Sequence, residues 1–138
     1  MQNIVEKMTI NYSPNFDLKI RAKSNIKYLI FHYTGMKSDK SAIKRLTDIN
    51  SKVSCHYYID LKGSIIQMVP DSYVAWHAGK SSWGRDKNLN KSSIGIEISN
   101  PGHDHGYKNF TKIQIKNLIK LSKTLIKKYS IKNKNILG

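Results

Sequence analysis

The sequence predicts an α/β fold in which a central mixed β-sheet is flanked by helices. Apolar runs of strand length alternate along the chain with two segments in which apolar residues recur at helical spacing. The resulting order, strand, helix, two strands, loop, strand, helix and strand, is typical of a sheet with helices packed on it. A chain of 138 residues is long enough for one hydrophobic core, so we predict a single domain over 1–138.

Composition and turn residues assign the elements of the N-terminal part. Residues 1–25, which include the turn-type stretch YSPNFD, are expected to be irregular. IKYLIFHYT, from Ile26 to Thr34, predicts a buried strand because β-branched and aromatic residues dominate it, and Gly35 ends it. SDKSAIKRLTDIN then predicts a helix with Ser38 as its N-cap.

The remaining elements follow from the same signals. VSCHYYID and SIIQMV predict two strands that LKG joins as a hairpin. Residues 70–91 predict a long loop rich in Ser, Gly, Lys and Asn, and loops of this length are often functional. SIGIEIS predicts a fourth strand, and NILG predicts the start of a final one. The strongest helix begins with a capping box of Thr111 and Gln114 and extends to about Tyr129.

The net charge of +15 leaves three interpretations open: nucleic-acid binding, attraction of another polyanion such as an acidic glycan or an anionic substrate, and a solvated lysine-rich surface. The basic residues are mostly lysines, with arginine at positions 21, 45 and 85. Recognition of phosphates and bases favours arginine forks and aromatic stacking platforms. We therefore expect no nucleic-acid partner.

Targeting signals are weak in this sequence. No stretch approaches the ~20 apolar residues of a transmembrane helix. The N-terminus lacks the basic start, apolar core and small-residue cleavage site of a signal peptide. Cys55 is the single cysteine, which fits a reducing compartment. We predict a cytoplasmic monomer, or a periplasmic or surface protein if an export signal precedes this sequence.

SIGIEIS places a glutamate inside a run of isoleucines. Side chains alternate between the two faces of a strand, so the three isoleucines are predicted to face the core. Gly95, Glu97 and Ser99 then share the opposite face, where two small neighbours leave an open floor around the carboxylate. This pattern favours a ligand site on a rigid element, and an ordinary solvent-facing glutamate is the alternative.

The histidines leave alternatives open as well. His32, near the end of its strand, is a metal ligand, a base or a buried hydrogen-bonded histidine. Trp76 and His77 either form a sugar-stacking loop or close the edge of the core. Two adjacent residues in a strand point to opposite faces, so Cys55 and His56 are not expected to form a nucleophilic dyad.

His103 and His105 have the H-x-H spacing of some metal sites. They lie in a stretch rich in Gly and Asp, where we expect both side chains to be solvated.

Five stretches of this chain occur in a recognisable order: FHYTGM, VSCHYYIDLKGSIIQMV, AWHAGKSSW, LNKSSIGIEISNPG and FTKIQIKNLIKL. Together they resemble the zinc-dependent N-acetylmuramoyl-L-alanine amidases, which include phage lysozyme-type amidases and peptidoglycan recognition proteins. The resemblance is closest to the bacterial branch that cleaves anhydro-muropeptides or peptidoglycan fragments. It implies the family fold, a central mixed sheet flanked by helices.

The resemblance also implies roles for particular residues. It makes His32 the first ligand of a Zn²⁺ cofactor and Glu97 the catalytic acid and base. Trp76, His77 and Asn100 take positions that line the substrate groove in related proteins. The implied reaction is hydrolysis of the amide between the lactyl group of (anhydro-)N-acetylmuramic acid and L-alanine, in cell-wall turnover or recycling.

Two more zinc ligands, a histidine and an aspartate, are placed by the resemblance after Gly138. We therefore expect the 1–138 amidase domain to be C-terminally incomplete and to lack a complete zinc site, which needs three protein ligands. The alternative to a zinc amidase is a non-catalytic module that binds muropeptides or peptidoglycan fragments.

Overall fold

Two α-helices and ten strands make up residues 8–138, the part of the chain that the computed structural model describes. The helices are α1 (Asp39–Thr47) and α2 (Lys112–Tyr129). The strands are β1 (Thr9–Ile10), β2 (Phe16–Asp17), β3 (Tyr28–Tyr33), β4 (Tyr57–Ile59), β5 (Ile65–Gln67), β6 (Val74–Ala75), β7 (Ser82–Trp83), β8 (Asp86–Lys87), β9 (Ser93–Ile98) and β10 (Ile136–Leu137). Neither of these helices has the length and apolar character needed to cross a membrane.

Six of the strands form one mixed sheet in the order β1-β5-β4-β9-β3-β10. β9 lies in the middle and runs parallel to both of its neighbours, β4 and β3. β4 and β5 form the predicted antiparallel hairpin. The two edge strands of the sheet are β1, which runs parallel to β5, and β10, which runs parallel to β3. The predicted fold class, a central mixed sheet flanked by helices, is confirmed.

One face of this sheet carries the main hydrophobic core. Ile94, Ile96 and Ile98 alternate along β9 and are at most 5% exposed, as the sequence pattern predicts. Leu121 and Leu125 of α2 belong to the same buried cluster. Each such side chain stabilises the fold by about 1.5–3 kcal/mol when it leaves water, so this face sets the position of β9.

The other face of the sheet is covered only in part. Ala42 and Leu46 of α1 form a buried cluster with Tyr58 of β4. The polar side chains that β3 and β9 carry on this face, His32 and Glu97, line a groove. The sheet therefore separates a dry apolar side from a side that is open to ligands.

Capping side chains start both helices at the predicted residues. Ser38 accepts a hydrogen bond from the first turn of α1, and Thr111 and Gln114 form a complete capping box at α2. Gln114 is 1% exposed, and its Nε2 also donates to the carbonyl oxygens of Asp60 and Ser99. This one side chain therefore fixes the start of α2 to the hairpin loop and to the end of β9.

Two expectations about irregular segments are wrong. Segment 1–25 contains β1 and β2, which pair with β5 and β6, although its residues 1–7 lie outside the described range. The expected loop over 70–91 contains β6, β7, β8 and a 3₁₀ turn over Leu89–Ser92. Strands of two residues are too short to show alternation in the sequence, which is why the pattern did not reveal them.

Replacing Thr111 by Ala is expected to lower the free energy of unfolding by about 1 kcal/mol, because the Gln114 N–H loses its acceptor. Urea unfolding followed by circular dichroism measures the change. Thr124→Ala is the matched control, since that exposed hydroxyl bonds the Lys120 carbonyl inside the helix. Equal losses in the two variants would argue against a special role of the cap.

Candidate active site

A groove of about 240 Å³ lies on the partly covered face of the sheet. Strands β3 and β9 form its floor, and α1 and the segment around β6 form its sides. Its polar lining includes His32, Thr34, Arg45, Trp76, His77 and Glu97. Four of the five residues that the sequence assigned to the site therefore lie in one groove.

Strand register brings two of these residues side by side. β3 and β9 pair in parallel with the Cα of His32 opposite the Cα of Glu97, so both side chains lie on the same face. Neighbouring strands are about 4.8 Å apart. An imidazole and a carboxylate are thus adjacent inside the six-stranded sheet.

The carboxyl group of Glu97 has an unusual ionisation. Burial raises the pKa of Glu97 from 4.5 to about 7, and the positive charge of Arg45 opposes this rise. Near neutral pH the group is present in both forms, so it can accept a proton and return it.

Burial lowers the pKa of His32 below its ordinary value, which favours the neutral imidazole. Its Nε2 lies 3.0 Å from Nδ1 of His77, a hydrogen-bond distance. The Nε2 of His77 in turn lies 2.9 Å from Oγ of Ser93. Both ring nitrogens of His77 are therefore used inside the protein.

Gly95 does not contribute to an open floor. The imidazole of His77 lies over it so closely that a Cβ added to Gly95 would be 2.6 Å from the His77 Nδ1. Ser99 is 2% exposed. The expectation that both small neighbours leave space around Glu97 is thus wrong, and the open space lies toward Trp76 and Arg45 instead.

Trp76 is held in place at both ends. Its backbone N–H donates to Oγ of Ser54 at 2.8 Å, and its indole Nε1 donates to Oδ1 of Asp17 at 2.8 Å. Asp17 belongs to β2, which pairs with β6 immediately before the tryptophan. The short N-terminal strand therefore anchors one wall of the groove.

Asn100 is the predicted site residue that does not line the groove. Its Nδ2 donates to the Lys108 carbonyl at 2.6 Å, and its Oδ1 accepts from the Gly102 N–H at 2.9 Å. The side chain is 2% exposed and holds the turn that follows β9. Its role as a substrate contact stays a prediction.

Cys55 and His56 do not form a dyad. The thiol contacts the sulfur of Met68 at 4.0 Å. The Nδ1 of His56 accepts from the Gly95 N–H at 3.0 Å, and its Nε2 lies 2.8 Å from the Tyr73 carbonyl oxygen. The two side chains thus have separate, structural partners.

His103 and His105 lie in an exposed 3₁₀ turn, where the ring of His103 stacks on Tyr107. Across residues 8–138, no three His, Cys, Asp or Glu side chains come together in a way that could hold a metal ion. Within the described part of the chain, His32 therefore does not belong to a group of three side chains that could hold a metal ion.

Two residues near the site, Arg45 in the groove lining and the buried Ser93 behind His77, are absent from the sequence predictions. Arg45 faces Glu97 from α1, three positions after the buried Ala42, and this helical spacing is the signal that relates it to the sheet. Ser93 lies two and four residues before Gly95 and Glu97, so strand alternation places it on the same face.

Comparison with known proteins identifies the family of this chain. The family model of N-acetylmuramoyl-L-alanine amidases matches residues 22–138. The chain therefore belongs to the N-acetylmuramoyl-L-alanine amidase family, as the sequence motifs predict.

Two curated relatives illustrate this similarity. N-acetylmuramoyl-L-alanine amidase AmiD of Escherichia coli K12 is 38% identical over 129 residues, which covers 85% of this chain and 46% of AmiD. 1,6-anhydro-N-acetylmuramyl-L-alanine amidase AmpD of Salmonella typhimurium LT2 is 37% identical over 87 residues, which covers 63% of this chain and 44% of AmpD. The chain thus spans about half the length of these relatives.

Solved structures show the same fold. AmiD from E. coli, in complex with the substrate anhydro-N-acetylmuramic acid-L-Ala-D-γ-Glu-L-Lys, matches with a TM-score of 0.74 at 38% identity over 83% of this chain and 48% of AmiD. AmpDh3 from Pseudomonas aeruginosa, in complex with anhydromuramic pentapeptide, matches with a TM-score of 0.77 at 30% identity over 94% of this chain and 56% of AmpDh3.

Replacing Glu97 by Gln is expected to raise the free energy of unfolding at pH 8 by about 1–3 kcal/mol. The folded-state pKa of Glu97, about 7, lies above its ordinary value of 4.5. Ionisation therefore costs the wild type stability as the pH rises from 4.5 to about 7, and the cost is complete above that range. Glutamine does not ionise.

Urea unfolding of both proteins at pH 4.5, 6 and 8, with a metal chelator present, measures this difference. The advantage of the glutamine variant should grow with pH and be small at pH 4.5. A difference that does not change with pH would show that burial does not penalise the carboxylate.

Proposed function

We propose that this chain is the N-acetylmuramoyl-L-alanine amidase domain of an enzyme of cell-wall turnover or recycling. Its reaction is hydrolysis of the amide between the lactyl group of (anhydro-)N-acetylmuramic acid and L-alanine. One observation carries this proposal: Glu97, with a pKa raised to about 7 by burial, lies next to His32 on the floor of a groove. The family relationship supports the same reaction.

The proposed substrates are anhydro-muropeptides or peptidoglycan fragments. The structural relatives AmiD and AmpDh3 were solved with anhydromuramic peptides bound. Trp76 supplies an aromatic surface for the sugar or the peptide, and its anchored indole loses little conformational freedom when it binds a ligand. The net charge of +15 favours the approach of peptides that carry free carboxylates.

Glu97 carries the proton transfers of this reaction. Its ionised form takes a proton from the water that attacks the lactyl carbonyl carbon. Its protonated form then gives that proton to the L-alanine nitrogen as the C–N bond breaks, which releases a carboxylic acid and a free amine. A pKa near the working pH suits both steps, and such acid–base catalysis contributes about 10²–10⁴-fold.

Zinc is the proposed cofactor, with His32 as one ligand. In zinc amidases this ion polarises a carbonyl and activates water. A catalytic zinc takes three protein ligands, whereas residues 8–138 bring no three candidate side chains together. The described residues alone therefore do not fit a complete zinc centre.

A non-catalytic muropeptide-binding module is the second candidate function. The groove favours it, because Trp76 and Arg45 in its lining can bind a ligand without a metal ion. In that case Glu97 and Arg45 are contacts for the ligand and carry no chemistry.

Cellular location, oligomeric state and nucleic-acid binding stay predictions. The buried, unpaired Cys55 supports the proposed cytoplasmic location. The monomeric state and the lack of a nucleic-acid partner rest on the sequence alone.

Replacing Glu97 by Gln in the complete protein is expected to reduce peptide release from an anhydro-muropeptide about 10²–10⁴-fold and to leave the affinity for that muropeptide nearly unchanged. Gln keeps the shape of the side chain and removes its base. Chromatography of the released peptide and calorimetry of binding measure the two effects. Wild-type binding without cleavage would support the non-catalytic module, and full activity of the variant would exclude Glu97 as the base.

Replacing Arg45 by Gln is expected to move the acidic limb of the kcat profile to higher pH. The guanidinium lowers the pKa of Glu97, so its loss lets burial raise that pKa further. Lys44→Gln is the control, because it removes the same charge from the next residue of α1, outside the groove lining. An acidic limb that does not move in the Arg45 variant would show that the guanidinium does not lower the pKa of Glu97.

A further inference from the structure

The outer face of α2 carries a row of lysines. Five of them recur at intervals of three or four residues, so they lie along one side of the helix: Lys112, Lys116, Lys120, Lys123 and Lys127. All five are exposed. At a rise of about 1.5 Å per residue, the row is about 22 Å long. The helix thus presents a continuous cationic edge to its surroundings.

Acidic residues do not compensate this row. The sequence of α2 contains no Asp or Glu, and its first turn, where acidic side chains are favourable, begins with Lys112. Within residues 8–138, the ion pair that α2 makes is that of Lys128, outside the row, with Asp71 at 3.9 Å. Like charges three or four residues apart destabilise a helix. A partner that supplies negative charge removes this repulsion.

Isoleucines border the row on both sides. At 3.6 residues per turn, Ile115 and Ile119 lie along one side of the row and Ile113 lies on the other. These three side chains are 39–47% exposed, although isoleucine is among the residues most often buried. The core is contacted by another side of the helix, which carries Leu121 and Leu125. The outer face is therefore both cationic and apolar.

The hairpin loop between β4 and β5 extends this surface at the start of α2. Gly63 packs against Ile113, and Nδ2 of Asn117 donates to the Gly63 carbonyl oxygen at 2.7 Å. The same loop carries Leu61 and Lys62, both exposed. An apolar side chain and a cation thus stand together again beside the helix.

This combination of ammonium groups and apolar side chains suits the surface of an anionic bilayer. Lysines are attracted to acidic headgroups, and their flexible stems let neighbouring apolar side chains reach the boundary of the acyl chains. A soluble polyanion, such as a nucleic acid, would contact the lysines and leave the isoleucines in water. The isoleucines therefore favour a lipid surface over other polyanions.

We propose that the outer face of α2, with the adjoining hairpin loop, docks this protein on the surface of an anionic phospholipid bilayer. The sheet separates this face from the groove, because α2 packs on the isoleucines of β9 while Glu97 lines the groove on the opposite face. A docked molecule therefore directs its groove away from the lipid. The inference goes beyond the reaction proposed for the groove and does not depend on it.

Flotation of the purified protein with vesicles tests this proposal. We expect binding to vesicles of equal parts phosphatidylglycerol and phosphatidylcholine, which weakens as the salt concentration rises. Binding to vesicles of phosphatidylcholine alone should be about 100-fold weaker. Absent or equal binding to the two kinds of vesicle would overturn the proposal.

Two fourfold variants with the same net charge locate the binding face. The row variant carries Lys116→Gln, Lys120→Gln, Lys123→Gln and Lys127→Gln. The control replaces four exposed lysines outside α2: Lys40→Gln, Lys44→Gln, Lys80→Gln and Lys87→Gln. Glutamine and lysine have similar helix propensities, so α2 is expected to stay folded, which circular dichroism checks.

The row variant should bind anionic vesicles at least about 100-fold more weakly than the wild type, because each lysine near such a surface contributes about fivefold. The control should retain most of the binding. Equal losses in the two variants would show that net charge, and not this face of α2, attracts the lipid, and would overturn the proposal.

Ile115→Gln combined with Ile119→Gln distinguishes a lipid surface from a soluble polyanion. This double variant should bind anionic vesicles about tenfold more weakly than the wild type, since it loses apolar contacts with the bilayer. Its charge-driven binding to double-stranded DNA should not change. Vesicle binding equal to that of the wild type would overturn the proposal, and so would row-dependent binding to DNA that exceeds binding to the vesicles.

Fluorescence places the lipid contact directly. Ile119→Trp adds a tryptophan to the proposed face, and lipids brominated in their acyl chains should quench it more strongly than the tryptophans of the wild type. Equal quenching in the two proteins would show that another face meets the bilayer. These measurements use no muropeptide, so they decide this inference even if the proposed amidase reaction fails.

Discussion

The parallel pairing of β3 with β9 is the interaction on which the fold and the groove both depend. Six consecutive residues pair, from Tyr28 with Ser93 to Tyr33 with Ile98. A slip of one residue would turn His32 and Glu97 toward opposite faces of the sheet. The isoleucines of β9 are buried against α2 and therefore hold this register. Hydrophobic burial on one side of the strand thus determines which chemical groups meet on the other side.

The groove contains several features that a purely structural protein would avoid. Burial penalises the ionised Glu97, and a glycine weakens the middle of β9. The two residues, Gly95 and Glu97, lie two positions apart in β9. Gly95 makes room for the ring of His77, and burial changes the ionisation of Glu97. Trp76 and His77, which lie beside this stretch, are held by hydrogen bonds to other segments. Local departures from the most stable choice are typical of functional sites.

Long periodic patterns made much of this structure predictable. The alternation in SIGIEIS gave the two faces of β9, and the capping box of Thr111 gave the start of α2. The family motifs, and not periodicity, suggested roles for His32 and for Trp76, both of which line the groove. A two-residue strand has no period, so the pairings of β1, β2 and β6 were not detectable. Alternation also gives the face of a residue without showing what covers it, which is why the ring over Gly95 was missed.

Cys55 shows a last consequence of how tightly the interior is closed. The thiol is 0% exposed and contacts Met68, and burial raises its pKa well above the ordinary value. Thiol reagents attack the thiolate, so this group is protected both by shape and by its protonation. Its modification has to await a transient opening of the sheet. The rate at which the Cys55 thiol is alkylated therefore reports how often solvent reaches the interior.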